Sequence, residues 1–293
     1  MPIRPACSRC CGALTPFLAT FVAVLVMLSL SRLGLSLWHR EAVSAAQGWS
    51  QVLLQGLRVD VATMSMWLGL PAAIWLLLPA SWSRSAPARA VLAFWLTLAV
   101  VVPLMLEVGT PPFMAEYGLR PNRLFIEYLV YPEEVSKTLL KGHLLAVLSA
   151  TALGATATWL AWRAARRAVL RHPVGGGWPM RAALAAVVVL AAALGVRSTL
   201  GHRPMNPAMV AFSSDATVNA LPLNSFYSVA FAARDWFRSD PGSRIYDAAT
   251  SDEAVAQAMR EALAAAGAQL ANDAQVPVLA SWPPVAKGGR RIW

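Results

Sequence analysis

After Cys11 the chain contains no cysteine. No disulfide can tie the rest of it together, and any exported region must hold its shape without one. Cys7, Cys10 and Cys11 stand together near the amino terminus. Cys7 and Cys10 have a metal-like spacing, but with no second pair and no nearby histidine they fall short of the four ligands a structural zinc needs. Acid is scarce as well: 15 Asp and Glu stand against 25 Lys and Arg, a formal charge of +10. None of the four histidines, His39, His143, His172 and His202, has a His or carboxylate at a metal-ligand spacing. A Gly-rich phosphate loop, a Cys–His pair and a Gly-x-Ser-x-Gly elbow are all missing. Acids beyond residue 230 (Asp235, Asp240, Asp247, Asp252, Glu253, Glu261 and Asp273) fall on linker or helix surfaces, where solvation accounts for them.

What the chain has instead is long apolar runs. Residues 10–31, 61–83, 90–106, 142–162 and 182–196 contain no Asp, Glu, Lys or Arg, in lengths of 22, 23, 17, 21 and 15 residues. About 20 apolar residues at about 1.5 Å rise cross a hydrocarbon core of about 30 Å. The first four runs meet that length or approach it. The fifth is short and needs Arg181 and Arg197 to snorkel their charges to the two interfaces. The first run exceeds the usual apolar core of a cleaved signal peptide, so it is expected to remain as a span. With 57% apolar residues, the composition predicts an all-α polytopic membrane protein: five transmembrane helices followed by amphipathic linker helices.

Charge orients the bundle. The tail (Arg4, Arg9), the second-to-third connection (Arg84, Arg89) and the fourth-to-fifth connection (Arg163, Arg166, Arg167, Arg171, Arg181) carry no acid. The opposite connections mix Arg32, Arg40, Arg58, Arg120, Arg123, Lys137 and Lys141 with Glu41, Asp60, Glu107, Glu116, Glu127, Glu133 and Glu134. Because Lys and Arg stay in the cytoplasm, this predicts a cytoplasmic amino terminus and an extracytoplasmic chain after residue 197. Residues 1–200 read as the five-span domain of a bacterial cytoplasmic (inner) membrane protein, and 201–293 as an extracytoplasmic helical linker. The arginine excess lies where this rule requires it, beside anionic lipid, so it does not indicate nucleic acid.

Within the spans, Pro71 and Pro103 are expected to kink their helices. The 107–141 connection reads as two short amphipathic helices at the outer interface; Glu133 and Glu134 open the second, and Lys137 and Lys141 close it, an order that suits the helix dipole. Arg58 and Asp60 are two apart and do not face each other on a helix, so they should pair with other elements or with lipid phosphate. Asn206 before Pro207 reads as an N-cap. Leu223, Phe226, Tyr227, Ala230, Ala233 and Phe237 recur at helical spacing. Residues 238–250 read as a linker, and Thr250 with Glu253 as a capping box for a last helix. No strand run is visible beyond it.

Several phrases then stand in a telling order: Gly56-Leu-Arg-Val-Asp60, Glu116-Tyr-Gly-Leu-Arg-Pro-Asn-Arg-Leu124, Glu127-Tyr-Leu-Val-Tyr-Pro-Glu-Glu-Val135, Arg203-Pro-Met-Asn-Pro-Ala208, and Phe212-Ser-Ser-Asp through Val218-Asn-Ala-Leu-Pro-Leu-Asn-Ser-Phe-Tyr227. Over most of residues 15–237 the chain resembles the membrane part of the lipoteichoic acid synthase-like phosphoglycerol transferases, in the sulfatase/alkaline phosphatase superfamily. The resemblance implies five spans ahead of an extracytoplasmic hydrolase-like domain. Such a domain holds a threonine nucleophile and manganese or magnesium, and moves glycerol phosphate from phosphatidylglycerol to an envelope polymer or glycan. That domain has no counterpart in this sequence, so no catalytic or metal residue can be assigned, and the chain alone is expected to be inactive.

The resemblance implies a membrane-anchoring module with membrane lipid, phosphatidylglycerol in particular, as partner. Arg58, Asp60, Arg203, Asn206, Asn219 and Asn224 are the candidates for facing a lipid headgroup, since Arg can bind phosphate bidentately and Asn can satisfy glycerol hydroxyls. Capping and interfacial anchoring are the competing roles for the same residues. The membrane part of a phosphoethanolamine transferase and a non-catalytic inner-membrane assembly protein are the alternative functions. A transporter fits less well, because the charge-free runs place no ionisable group at mid-membrane except His143 near one end.

Overall fold

A computed structural model describes residues 12–198, 205–238, 257–258, 260–261, 269–270 and 280–281. Arg203, His202, the three cysteines, the 239–250 part of the linker and the Thr250–Glu253 capping box lie outside the described residues. The chain divides into two compact units, Met1–Asp235 and Trp236–Trp293. Residues 205–235 thus fall in the first unit, past the boundary drawn at residue 200. In the second unit, β1 (Gln269–Leu270) pairs antiparallel with β2 (Ala280–Ser281), Gln269 opposite Ser281. A pair this short leaves no periodic signal in the sequence.

The first unit is helical. Its elements are α1 (Thr15–Trp38), α2 (Arg40–Ala45), α3 (Trp49–Leu77), α4 (Ala80–Ser83), α5 (Ala86–Val108), α6 (Thr110–Tyr117), α7 (Arg123–Leu129), α8 (Pro132–Gly142), α9 (Leu144–Arg171) and α10 (Trp178–Arg197). A 3-10 turn at Pro207–Val210, α11 (Ala216–Ala220) and α12 (Ser225–Arg238) follow. Among the described residues, five helices are long and apolar enough to cross a membrane: α1, α3, α5 continuing into α6, α9 and α10. The molecule is an all-α, polytopic membrane-type protein.

Each span outruns its charge-free stretch. α1 continues through Arg32, α3 begins ahead of Arg58 and Asp60, and α5 runs on to Glu107. The prolines do not end their helices; α3 runs through Pro71 and α5 through Pro103. Local signals set other boundaries. The Ser85 hydroxyl accepts the Ala88 amide and starts α5, while Gly118, at φ +67°, closes α6 in the left-handed region that glycine tolerates. The 107–141 connection forms three short helices rather than two, because Gly118 and Pro132 each interrupt it. In α8, Glu133 and Glu134 stand in the first turn and Lys141 in the last, as expected.

α3 is the centre of the bundle, with α1 and α10 packed on it; α5 packs on α1 and α9 on α5. Small residues set the α3–α10 distance. A Cβ on Gly69 would overlap Ala192, and one on Gly195 would overlap Ser65. Without water to drive helices together, close backbone approach through small residues is how membrane helices gain packing. Phe17, Leu68, Trp75, Leu76, Leu96 and Val169 fill the core. The outward faces stay apolar: Leu145 is 82% exposed and Leu190 62%, a pattern that suits lipid and not water.

Arg181 corrects an expectation. Its guanidinium is buried within the protein rather than extended from it, its Nε donating to Leu76 O at 2.7 Å and its Nη2 to Leu78 O. These carbonyls end α3 just before Pro79, which has no amide hydrogen to continue the ladder, so the guanidinium fills the vacancy.

Candidate functional site

The polar residues of the first unit converge at the end of the bundle away from Arg181. Arg32, near the carboxyl end of α1, lies across α3 where residue 56 is glycine. A Cβ there would overlap the Arg32 Nε, Cζ and Cδ atoms, so Gly56 is what admits the guanidinium. Arg32 Nη2 reaches Asp60 Oδ1 at 2.7 Å, with both side chains essentially unexposed. Ser31, the preceding residue, donates its hydroxyl to Glu107 Oε2 on α5.

Glu107 is held from the other side by Arg120, whose Nη1 lies 2.7 and 2.9 Å from its two oxygens. Arg120 comes from the α6–α7 connection and is 2% exposed. It also donates to the carbonyls of Ala220, at 3.2 Å, and Leu221, at 3.5 Å. The chain after α11 is thereby drawn onto the bundle.

The fastening is completed by two adjacent residues, Asn224 and Ser225. Asn224 Nδ2 donates to Asp60 Oδ1 at 2.9 Å and to Thr63 Oγ1 at 3.0 Å. Its Oδ1 accepts the Tyr227 amide at 2.8 Å and so caps α12. The Ser225 amide donates to Glu107 Oε1 at 2.8 Å, and its hydroxyl receives Arg120 Nη1 at 3.0 Å and meets Thr110 Oγ1 at 2.5 Å. Each buried carboxylate is therefore gripped by one member of Ser31-Arg32 and one member of Asn224-Ser225. Tyr227 adds a bond from its hydroxyl to Met205 O at 3.0 Å. Burial pushes its phenol up to about 12, against the opposing fields of Arg234 and Arg58.

Chemically, this arrangement holds rather than reacts. Three of the four carboxylate oxygens are engaged, and both negative charges face a guanidinium. Asp60 Oδ2 and Arg32 Nε are the atoms of the network without a partner. Ser31, whose hydroxyl donates to Glu107, meets a carboxylate already engaged by Arg120 and by the Ser225 amide. Among the described residues no three His, Cys, Asp or Glu side chains gather, and carboxylates already paired to arginine do not fit the divalent cation that the resemblance implies. Removing one member of a buried pair is costly, about 3–5 kcal/mol, because the other is left uncompensated.

Of the residues singled out in the sequence, the fold brings Asp60 and Asn224 into contact. The others are dispersed. Arg58 Nε donates to Ser198 O at 2.7 Å and Oγ at 3.0 Å, capping α10, and its Nη1 bonds Gln55 at 3.1 Å. Arg58 and Asp60 do pair with separate elements, as their spacing indicated. Asn206 caps the 3-10 turn by accepting the Met209 amide. Asn219 accepts the amides of Phe212 and Ser213, both at 2.9 Å, and closes that loop. Arg32, Glu107, Arg120, Thr63 and Ser225 were not singled out. A signal for them existed: this end of the bundle carries as many acids as bases, and Arg32, Asp60 and Glu107 each border a charge-free run.

No family model matches the chain, and no solved structure matches it. The class of protein that fold and site define is therefore a multi-pass membrane-type helical bundle with a charge-clamped segment on one end.

Proposed function

We propose that this protein is the membrane-anchoring module of a phosphoglycerol transferase-like enzyme of the cell envelope, in the bacterial inner membrane, with its clamped end extracytoplasmic. The role of the module is to seat the 205–238 segment rigidly at the membrane surface, so that the chain beyond it leaves from a fixed point. One observation carries the anchoring reading: Asn224 and Ser225, 161 and more residues from α3 Thr63 in the chain, are bound to the two buried ion pairs of the bundle. A tether needs no such fastening; a mount does.

The transferase assignment is supported by where the resembling phrases fall. Gly56-Leu-Arg-Val-Asp60 supplies the glycine that admits Arg32 and the carboxylate that binds it. The Glu116–Leu124 phrase supplies Arg120, and the Phe212–Tyr227 phrase supplies Asn224, Ser225 and Tyr227. The likeness thus lies in residues that build the frame. The manganese or magnesium chemistry implied by the resemblance is assigned to a hydrolase-like domain and not to this frame. The arginine-fringed opposite end supports the orientation.

Topology is tested with single cysteines in intact cells. Ser214→Cys, on the clamped end, should react with a membrane-impermeant maleimide, and Arg167→Cys should not; the reverse pattern overturns the orientation. The chain purified alone, given phosphatidylglycerol and manganese, should release no glycerol phosphate. Robust release would place an active site in this chain and end the anchor reading.

A further inference from the structure

A groove of about 300 Å³ opens on the side of the bundle, with α3 as its floor and α1 and α10 as its walls. Met64, Leu68 and Ala72 form the floor, Phe17 one wall, and Val188 and Ala191 the other. From Val61 to Ala72 it follows α3 for roughly 16 Å, about half the hydrocarbon thickness of a bilayer and so the depth of one leaflet.

The groove has a polar mouth. Arg58 lies one helical turn beyond Val61, and Ser198 one turn beyond Gly195, so the Arg58–Ser198 contact stands at the end of the seam that lines the groove. Arg58 is half-buried. It has no carboxylate within ion-pair distance among the described residues, in contrast to Arg32 and Arg120 at the same end. The cap on α10 occupies Nε and Gln55 takes Nη1, and among the described residues no partner stands at the Nη2 edge of this fork-shaped donor. The mouth thus carries the positive charge of Arg58. An apolar trough one leaflet deep, ending at a guanidinium that no described carboxylate pairs, complements a phospholipid with an anionic head.

We infer that the α1–α3–α10 groove binds one acyl chain of an anionic phospholipid, with the lipid phosphate seated on Arg58. Arginine at this point gives a charge-assisted contact that a zwitterionic lipid engages less well, because its own cation competes. This inference needs the chain to be in a membrane and does not depend on the transferase reading.

The test uses the full chain in detergent, with dioleoylphosphatidylglycerol and dioleoylphosphatidylcholine as probes and bound lipid counted by native mass spectrometry. One phosphatidylglycerol per chain should be retained about tenfold over phosphatidylcholine. Arg58→Gln should bring that ratio to near one without lowering phosphatidylcholine retention, and Arg58→Lys should keep part of the preference. Ala191→Phe, at an exposed wall position, should reduce retention of both lipids several-fold, and it decides the matter even if the Arg58 variants fail to fold. An unchanged ratio in Arg58→Gln, unchanged retention in Ala191→Phe, or a dimer of the chain covering the groove in place of lipid would each overturn the assignment. None of these outcomes bears on the maleimide or turnover tests of the anchor.

Discussion

The two ends of the bundle hold their charges in opposite ways. At the clamped end, Arg32, Asp60, Glu107 and Arg120 are drawn out of solvent and matched pairwise. At the other, Arg84, Arg163, Arg166, Arg167 and Arg171 stand exposed, and Arg163 and Arg166 rest 5.5 and 5.7 Å from the ring centres of Trp159 and Trp162. Arg181, the buried cation there among the described residues, is matched by backbone carbonyls. The difference teaches what each end is for. Exposed arginines beside tryptophan act independently of one another. Paired buried charges act together, because each makes sense only with its partner in place, so they fix geometry.

Replacing one member of a clamp pair should hurt most. Arg120→Met, which leaves Glu107 buried and unpaired, is expected to cost about 3–5 kcal/mol in chemical unfolding of the detergent-solubilised protein. Converting both Glu107 and Arg120 to Met should recover much of that loss, and failure to recover any would mean the charges do more than match each other. Asn224→Ala removes an N-cap and two bonds to α3, for about 2–3 kcal/mol. It should also speed proteolysis near α12, and a protease pattern like that of the parent would dissociate the clamp from the seating of that helix.

Tyr227 gives a pH-dependent version of the same comparison. Its phenol titrates near 10 when unfolded and about 12 when folded. The folded state therefore favours the neutral form; the contribution is complete below pH 10 and fades as pH rises from 10 through 12, by about 2 kcal/mol at most. Melting curves of the parent should fall more steeply in that window than those of Tyr227→Phe; parallel curves would remove the phenol from the account. Moving to the opposite end, Arg181→Ala should cost about 1–2 kcal/mol, since it frees carbonyls that interfacial water can partly satisfy. The smallest effect belongs to Arg166→Ala, about 0.5 kcal/mol, read by the same unfolding assay. A loss there as large as at Arg120 would erase the distinction between the two ends.

Much of the frame was legible in the chain. The five spans follow from run length, and the helices at 132–142 and 225–238 from dipole order and spacing. The site was legible only in part. Asp60 and Asn224 were singled out as lipid-facing candidates, and the fold turns them toward each other. Arg32 and Glu107 looked like ordinary edges of apolar runs, since a linear count treats the last charge beside a span as being in water. Arg120 sits in a connection whose path depends on α6 ending at Gly118 and on α11 folding back to meet it.

Composition and run length determined that the chain forms a helical bundle with five helices long and apolar enough to cross a membrane among the described residues, because these properties are local to each segment. Only the tertiary structure decided which charges leave the surface. Pairing Asp60 with Arg32 requires a glycine at 56 on a neighbouring helix, and fastening both carboxylates requires Asn224 and Ser225 to return from far along the chain. Burial of a charge is favourable only when a partner arrives at hydrogen-bond distance, and that arrival is set by packing between elements rather than by any one of them.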